Sequence, residues 1–362
     1  MRLPQLDAIR AIAIGLVIIE HYGGRSLNLH LPLGMGSLGV GLFFCLSGFL
    51  ITSILMAEYA TGLPKKEIWT NFYVRRFLRL MPPYYAWIAI LVLLGIEPVA
   101  SSWLWHVAYL SNVWNALGNP LLDFWSLAVE EQFYLIWPFV LALTPRRYLL
   151  PTIFLGTVGL STLFKAGMAQ AGFTGDTIQT LLLTNLCELG TGSMLAVTCF
   201  RKGKPYDLSW YTPRCHRMFT ILAALALAEA VSGWYLWGTK GPFRYYINDA
   251  LCAVPMAWLV LAATRGIKGL PGKFFDNRAV QYVGQISYSI YLTHNFIPDI
   301  VKAELGDLPR WQLGLISISL TLIITSLSWF YFEKPILKLK RYFITKPAKA
   351  TQPAEVSLPI AA

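Results

Sequence analysis

The first apolar stretch of the chain, residues 6–22, contains two polar groups that do not belong in lipid: Arg10 near its start and His21 at its end. As an α-helix, the eleven steps from Arg10 to His21 turn by about 1100°, so both side chains point the same way, with Asp7 close to that line. A charge at membrane depth costs several kcal/mol unless it faces protein or water. We therefore expect this stripe to face the interior of a helical bundle, as one wall of a site that crosses much of the membrane.

Composition and patterning indicate that the chain is a polytopic membrane protein. Hydrophobic residues make up 56% of its 362 residues, charged residues only 14%, and the mean hydropathy is +0.51. Apolar runs close to bilayer length predict an all-α bundle of about ten transmembrane helices. The predicted spans are residues 6–22, 38–58, 79–96, 124–143, 149–167, 180–200, 217–237, 247–265, 283–302 and 312–333. We also expect a short or re-entrant helix within 101–120, one transmembrane domain over 1–345, and a disordered cytoplasmic tail over 346–362.

Lysine and arginine fall mainly in alternate connections between these spans, which predicts that both termini are cytoplasmic. Those loops explain the net charge of +11, so we expect a lipid bilayer, and no nucleic acid, as the partner of the basic surface. Polar groups inside the first span argue against a cleaved signal peptide. The five cysteines show no CxxC pattern and no spacing that suits zinc, so neither a disulfide framework nor a metal site is expected.

A cluster of arginines lies at the predicted cytoplasmic mouth of the third span. Arg76 and Arg79 are three residues apart and would share a helix face beside Arg75, where they could clamp a phosphorylated ligand. A basic cluster that touches anionic lipid headgroups would have a similar composition. Both interpretations stay open from the residues alone, although the use of arginine rather than lysine strengthens the first.

The fourth span opens at Asp123 and carries two adjacent carboxylates, Glu130 and Glu131, less than two turns into an apolar helix. Glu130 would share its face with Ser126 and Tyr134, which makes it the better functional candidate, whereas Glu131 falls mainly among apolar residues. A buried carboxylate can orient a histidine or take up a proton itself. Asp123 is explained by the preference for acidic residues at a helix N-terminus.

Polar residues also occur in the second and ninth spans. Tyr291 and His294 share a helix face and are predicted to line one cavity, although hydrogen bonds between helices would explain them about as well. Ser47 and Gly48 are small residues that predict close helix packing. His21 suits general-base chemistry on a hydroxyl, and the alternative is a histidine that ends a helix at the membrane interface.

Taken together, these stretches resemble the acyltransferase family 3 membrane proteins, which O-acylate sugars and other acceptors at or beyond the bacterial cytoplasmic membrane. The resemblance covers nearly the whole chain and depends on several motifs in order. They are Leu-Asp-Ala-Ile-Arg10 with His21 eleven residues on, Phe-Phe-Cys-Leu-Ser-Gly-Phe-Leu, Arg76-Phe-Leu-Arg79-Leu-Met-Pro82, Phe-Trp-Ser-Leu-Ala-Val-Glu-Glu-Gln-Phe-Tyr-Leu, Ser-Tyr-Ser-Ile-Tyr-Leu-Thr-His294 and Phe332-Glu333-Lys334-Pro335.

The resemblance implies roles for the residues of these motifs. His21 is the position of the family's catalytic histidine, with Arg10 as its companion. Arg76 and Arg79 match an arginine pair implied to meet the phosphates of an acyl-CoA, and acetyl-CoA is the expected donor.

The family's acid in the fourth span corresponds to Glu130 or Glu131. Glu20 departs from the pattern, since relatives usually place an aromatic residue before the histidine. Many relatives also carry an extracytoplasmic hydrolase-like domain, and the sequence predicts none here. We therefore expect that any second step would need a separate extracytoplasmic transferase partner.

The sequence leads to the hypothesis of an O-acyltransferase in the bacterial inner membrane that moves an acyl group from cytoplasmic acyl-CoA to a hydroxyl of a cell-surface carbohydrate or glycolipid. His21 would act as the general base, with Glu130 fixing its tautomer. The residues predicted to line the substrate path are Asp7, Ser126, Tyr134, Tyr291 and His294. The alternative is a transporter or flippase that uses the same buried polar residues to move a solute or a lipid-linked sugar.

Overall fold

The computed structural model describes residues 3–23, 34–120, 122–173, 175–201, 203–237 and 249–343. Over these residues the chain is built of helices and contains no β-strand, which confirms the predicted all-α class. The predicted tail, residues 346–362, lies outside the described residues.

The α-helices of the described residues are numbered here in chain order. They are α1 Pro4–Ile18, α2 Met35–Tyr59, α3 Lys65–Leu93, α4 Val99–Val107, α5 Ser111–Ala116, α6 Phe124–Leu143, α7 Arg146–Gln170, α8 Gly175–Thr180, α9 Leu186–Thr198, α10 Pro213–Trp237, α11 Asp249–Arg265, α12 Gly269–Phe275, α13 Arg278–Thr293, α14 Ile297–Leu305 and α15 Arg310–Ser328. A π-helical turn, Ile19–Gly23, continues α1. A second one, Trp329–Glu333, leads from α15 into the short helix α16, Lys334–Leu337, which is followed by a terminal 3₁₀ segment, Lys338–Phe343.

Five helices of the described residues are long and apolar enough to cross a membrane unaided: α2, α6, α7, the first part of α10, and α15 with its extension. The pair formed by α11 and α12 is bent by 88° and makes a sixth crossing if it is counted as one span. Other predicted spans correspond to helices that are short, broken or charged. The structure therefore supports a helical membrane protein, while the count of ten spans and the cytoplasmic termini stay predictions.

The helix α3 differs most from its predicted span, because it begins at Lys65 and runs without a break past Pro82 and Pro83. The sequence favours a start near residue 79, since basic residues are unfavourable in lipid. In the structure the arginines lie along the helix instead. Most of α4 and all of α5 lie in the region 101–120, in agreement with the expected short helix.

The helix α2 packs against α1, α6, α9 and α11. Glycines let α2 and α9 touch backbone to backbone: a Cβ on Gly48 would overlap the Leu189 carbonyl, and one on Gly192 would overlap the Cys45 carbonyl. Such small residues permit close approach between helices in a membrane. The predicted packing role of Gly48 is confirmed.

The helix α1 packs along α13, and the two meet most closely where Gly284 faces the backbone of Asp7. A Cβ on Gly284 would overlap the Asp7 carbonyl, and backbone cannot move aside as a flexible side chain can. This contact fixes the helix that carries Arg10 and leads to His21 against the helix that ends beside His294.

We expect Gly284→Ala to destabilise the folded protein by about 1–3 kcal/mol, because the added methyl group forces α1 and α13 apart. Gly15→Ala in α1 is the control, since a Cβ there meets nothing within 4 Å and alanine favours a helix. Thermal unfolding of both variants in detergent, followed by intrinsic fluorescence, measures the difference. Equal melting temperatures would contradict the contact.

Candidate active site

Three arginines from two helices converge on a cavity inside the bundle: Arg10 of α1 with Arg76 and Arg79 of α3. We call these three residues the arginine site. The cavity has about 700 Å³ of empty space. Its other polar lining residues are Ser47, Ser126, Glu130, Tyr134, Ser287, Tyr288 and Tyr291. Cations outnumber carboxylates among these described lining residues, so the cavity favours an anionic ligand.

A second cavity of about 770 Å³ adjoins the first, because Arg10, Leu50 and Arg79 line both. Asp7 lies in its wall and accepts a hydrogen bond from Arg10 Nη1 at 2.7 Å. The cavity reaches Leu3 beside the start of α1. The arginine site therefore lies on a polar path that extends to the N-terminal end of α1.

Glu130 forms one wall of the arginine site and is held by two hydroxyls. Ser47 and Tyr134 both donate short hydrogen bonds to its Oε1. The Arg76 guanidinium lies 5.2 Å from the centre of the Tyr134 ring and is attracted electrostatically to Glu130. Glu130 thus helps to place both Tyr134 and Arg76. Glu131 is also attracted electrostatically to Arg76, but it is not among the described lining residues of the cavity.

Arg75 is committed to other partners and is not a lining residue of either cavity. It forms an ion pair with Glu58 and donates from Nη1 to the Phe343 carbonyl at 2.5 Å. Lys340, in the same 3₁₀ segment as Phe343, lies within electrostatic range of Arg75 and of the arginine site. The terminal 3₁₀ segment therefore brings the Lys340 amine to this end of the bundle.

A second polar group consists of His21, Asp123 and His294, and we call it the histidine site. Asp123 Oδ2 lies 3.6 Å from His21 Nε2 and 3.2 Å from His294 Nε2. The two imidazoles meet edge to face, with ring centroids 5.0 Å apart. His294 is fully buried, whereas the His21 side chain keeps 26% exposure and that of Asp123 keeps 17%. The site thus joins the end of α1, the start of α6 and the end of α13.

Ser126 and Tyr291 lie between the arginine site and the histidine site. Both line the first cavity, and their hydroxyls are 2.7 Å apart. Each hydroxyl also lies within hydrogen-bond distance of the Asp123 carbonyl, at 3.0 and 3.2 Å. His21 is not among the described lining residues of either cavity. The described chain therefore holds two neighbouring sites with a pair of hydroxyls between them.

The sequence predicts that Glu130 fixes the tautomer of His21, but the structure does not bring these residues together. Glu130 lies seven residues beyond Asp123, which is about 10 Å farther along α6. Its carboxylate contacts Ser47 and Tyr134, and the carboxylate beside His21 is that of Asp123. Periodicity identifies the shared face of α6 correctly but does not say which helix faces which residue.

Sequence reasoning assigns no site role to Asp123 and Ser47, which the structure places at the two sites, or to Lys340, which lies within electrostatic range of Arg76 and Arg79. The sequence position of Asp123 is typical of an acidic residue at a helix N-terminus, but in the structure its side chain makes no capping hydrogen bond to α6. Ser47 stands among small packing residues, and only its hydroxyl distinguishes it from them. Lys340 lies in a basic stretch typical of a cytoplasmic flank, so its sequence position carries no signal for the arginine site.

The chemistry of the two sites limits what they can bind. Guanidinium groups bind phosphate oxygens through paired hydrogen bonds, so the arginine site suits a phosphorylated ligand. The histidine site offers two imidazole nitrogens and a carboxylate oxygen within 4.8 Å of one another. Such a set can move a proton or hold a divalent metal ion.

Several curated proteins are similar to this chain. OatA of Listeria monocytogenes, named a peptidoglycan O-acetyltransferase, is 28% identical over 383 residues that cover 95% of this chain and 59% of OatA. A Staphylococcus aureus protein with a provisional O-acetyltransferase name is 31% identical and covers 93% of this chain and 57% of its own length. YrhL of Bacillus subtilis, with a provisional peptidoglycan O-acetyltransferase name, is 29% identical, with 92% and 55% covered. The chain spans somewhat more than half the length of these relatives.

A family model described as "Acyltransferase domain" matches residues 3–332, a range that contains both the arginine site and the histidine site. No solved structure matches the chain with significance. The family match spans most of the sequence and agrees with the motifs that resemble acyltransferase family 3. The chain belongs to this acyltransferase family.

Proposed function

We propose that the protein is a membrane O-acyltransferase that moves an acyl group, expected to be acetyl, from acyl-CoA to a hydroxyl of a cell-envelope carbohydrate. One observation carries the proposal: an arginine site suited to phosphates and a histidine site suited to proton transfer lie next to each other in one bundle. A single helix, α1 with its π-helical turn, contributes Arg10 to the first site and His21 to the second.

The donor would bind at the arginine site. Acyl-CoA carries phosphates that the paired donors of Arg76 and Arg79 can hold by charge-assisted hydrogen bonds. The terminal 3₁₀ segment brings the Lys340 amine near these arginines as a further hydrogen-bond donor. The positive-inside pattern of the loops favours the cytoplasm as the side from which the donor enters.

The transfer would take place beside His21. The acceptor hydroxyl attacks the thioester carbonyl, a C–O bond forms, and the C–S bond breaks. His21 takes the hydroxyl proton as general base and passes it to the departing CoA thiolate. The acyl end of the donor would reach the histidine site between Ser126 and Tyr291, whose hydroxyls border the cavity.

The acceptor is proposed from the relatives. OatA is named for peptidoglycan, and YrhL carries the same substrate in its provisional name. We propose a carbohydrate of the cell envelope, with peptidoglycan first among the acceptors to test. A separate extracytoplasmic protein is a further proposed partner, which would receive the acyl group for the final transfer.

The test uses purified protein in lipid nanodiscs, acetyl-CoA labelled in the acetyl group, and soluble peptidoglycan fragments. We expect the label to appear in the fragments or on the protein, with one CoA thiol released per acetyl group transferred. Binding of acetyl-CoA without thiol release, across the fragments and a panel of other sugars, would contradict the proposal. That result would favour the transporter or flippase.

A further inference from the structure

The side chain of Asp123 lies between two imidazoles, and capping of the α6 N-terminus does not explain its position. A helix N-terminal acid usually accepts a hydrogen bond from the first backbone N–H groups of its helix. Asp123 makes no such bond to α6. Its Oδ2 instead faces His294 Nε2 at 3.2 Å and His21 Nε2 at 3.6 Å.

The hydrogen-bond chemistry of His294 restricts where the protons lie. Its Nδ1 is 2.8 Å from the Tyr291 carbonyl, and a carbonyl only accepts, so Nδ1 carries a proton. Its Nε2 then faces the Asp123 carboxyl group at 3.2 Å. Asp123 Oδ2 therefore lies between His294 Nε2 on one side and His21 Nε2 on the other.

Asp123 is held in this position by its surroundings. Its carbonyl lies within hydrogen-bond distance of the Ser126 and Tyr291 hydroxyls, which fixes the first turn of α6 against α13. The Tyr22 hydroxyl donates to the His294 carbonyl at 2.7 Å and ties the end of α13 to the π-helical turn that carries His21. The three groups are therefore fixed relative to one another by contacts outside the site.

We propose that Asp123 is a positioning residue for the His21 base, with His294 as the group that holds Asp123. A carboxylate accepts hydrogen bonds, so Asp123 favours the His21 tautomer that carries its proton on Nε2 and keeps the lone pair on Nδ1. When Nδ1 takes the hydroxyl proton, His21 becomes a cation and Asp123 is its counter-ion. The proposal rests on the proposed function, because it concerns the base of that reaction.

The test compares Asp123→Asn with wild type in the nanodisc assay. Asparagine keeps the shape but loses the charge and can present an N–H to His21, which favours the wrong tautomer. We expect kcat to fall about 10²-fold or more, with the KM for acetyl-CoA and the melting temperature close to wild type. Asp123→Glu restores the carboxylate and should recover part of the lost kcat.

Asp299→Asn is the matched control, because Asp299 is an exposed aspartate on the following helix, α14. It should leave kcat unchanged. An active wild type with an equally active Asp123→Asn would overturn this proposal alone, whereas an inactive wild type would refute the proposed function itself. A loss of kcat matched by a lower melting temperature in every Asp123 variant would reduce Asp123 to a structural residue.

A double-mutant cycle tests whether His294 acts through Asp123. We expect His294→Gln to lower kcat less than Asp123→Asn does, and the double variant to be no slower than Asp123→Asn, since residues that act as a unit are not additive. If the double variant lost kcat by the product of the two single losses, His294 and Asp123 would act independently, which would contradict the proposal. Elemental analysis of the purified wild type provides the remaining check: stoichiometric zinc that Asp123→Asn loses would show a metal site and overturn the proposal.

Discussion

Replacing His21 with alanine is expected to reduce acyl transfer about 10²- to 10⁴-fold, the usual contribution of a general base. The acceptor hydroxyl would then lose the group that takes its proton. Binding of acetyl-CoA should stay near wild type, because His21 lies outside the described lining of the arginine cavity. Thiol release in nanodiscs measures the rate, and calorimetric titration with CoA measures the binding.

His216→Ala is the matched control for this variant. His216 is a half-buried histidine of α10 whose Nδ1 lies 3.2 Å from the Tyr211 hydroxyl, and neither residue belongs to the two sites. Its loss should leave transfer unchanged. Wild-type rates in His21→Ala would remove His21 from the reaction and with it the assignment of roles at the histidine site.

Replacing Arg76 with alanine is expected to weaken acetyl-CoA binding about 10- to 100-fold, because a hydrogen bond to a charged group contributes about 1.5–3 kcal/mol. At saturating donor, kcat should change much less, because an Arg76 that binds the donor phosphates would hold them equally in the ground state and the transition state. Titration with acetyl-CoA and with dephospho-CoA would show which phosphate the residue meets.

Two further variants sharpen this result. Arg76→Lys keeps the charge but loses the paired donors, so it should restore only part of the affinity. Arg147→Ala removes an exposed arginine that stacks on Tyr148 and is not among the described lining residues of either cavity, so it should have no effect on binding. Equal donor affinity in wild type and Arg76→Ala would contradict a phosphate site at these arginines.

Much of the architecture could be predicted from the sequence, because apolar runs and helical periodicity are local properties. The all-helical class, the short helices within 101–120 and the packing at Gly48 all follow from such patterns. The extent of α3 does not. From the sequence, its basic half resembles a loop, because burying a charge costs free energy. In the structure Arg76 and Arg79 face a cavity, and the sequence alone does not reveal such surroundings.

The grouping of site residues depends on contacts between distant segments. Ser126 and Tyr291 form a hydrogen bond across 165 residues, which no periodicity predicts. Helical spacing places Glu130 beside Tyr134 correctly, because both lie on one helix. It gives no means of choosing between Glu130 and Asp123 as the partner of His21, because that choice depends on how far along α6 the end of α1 docks.

The contact between Gly284 and the Asp7 carbonyl has a mechanical consequence. Helices that touch backbone to backbone have little room to shift against each other, so this contact limits changes in the spacing of the His21 and His294 rings at the other end of α1 and α13. An opening made by α3 or by the terminal 3₁₀ segment would admit a ligand without moving this pair. The spacing of the His21 and His294 rings would then stay the same while the cavity opens and closes.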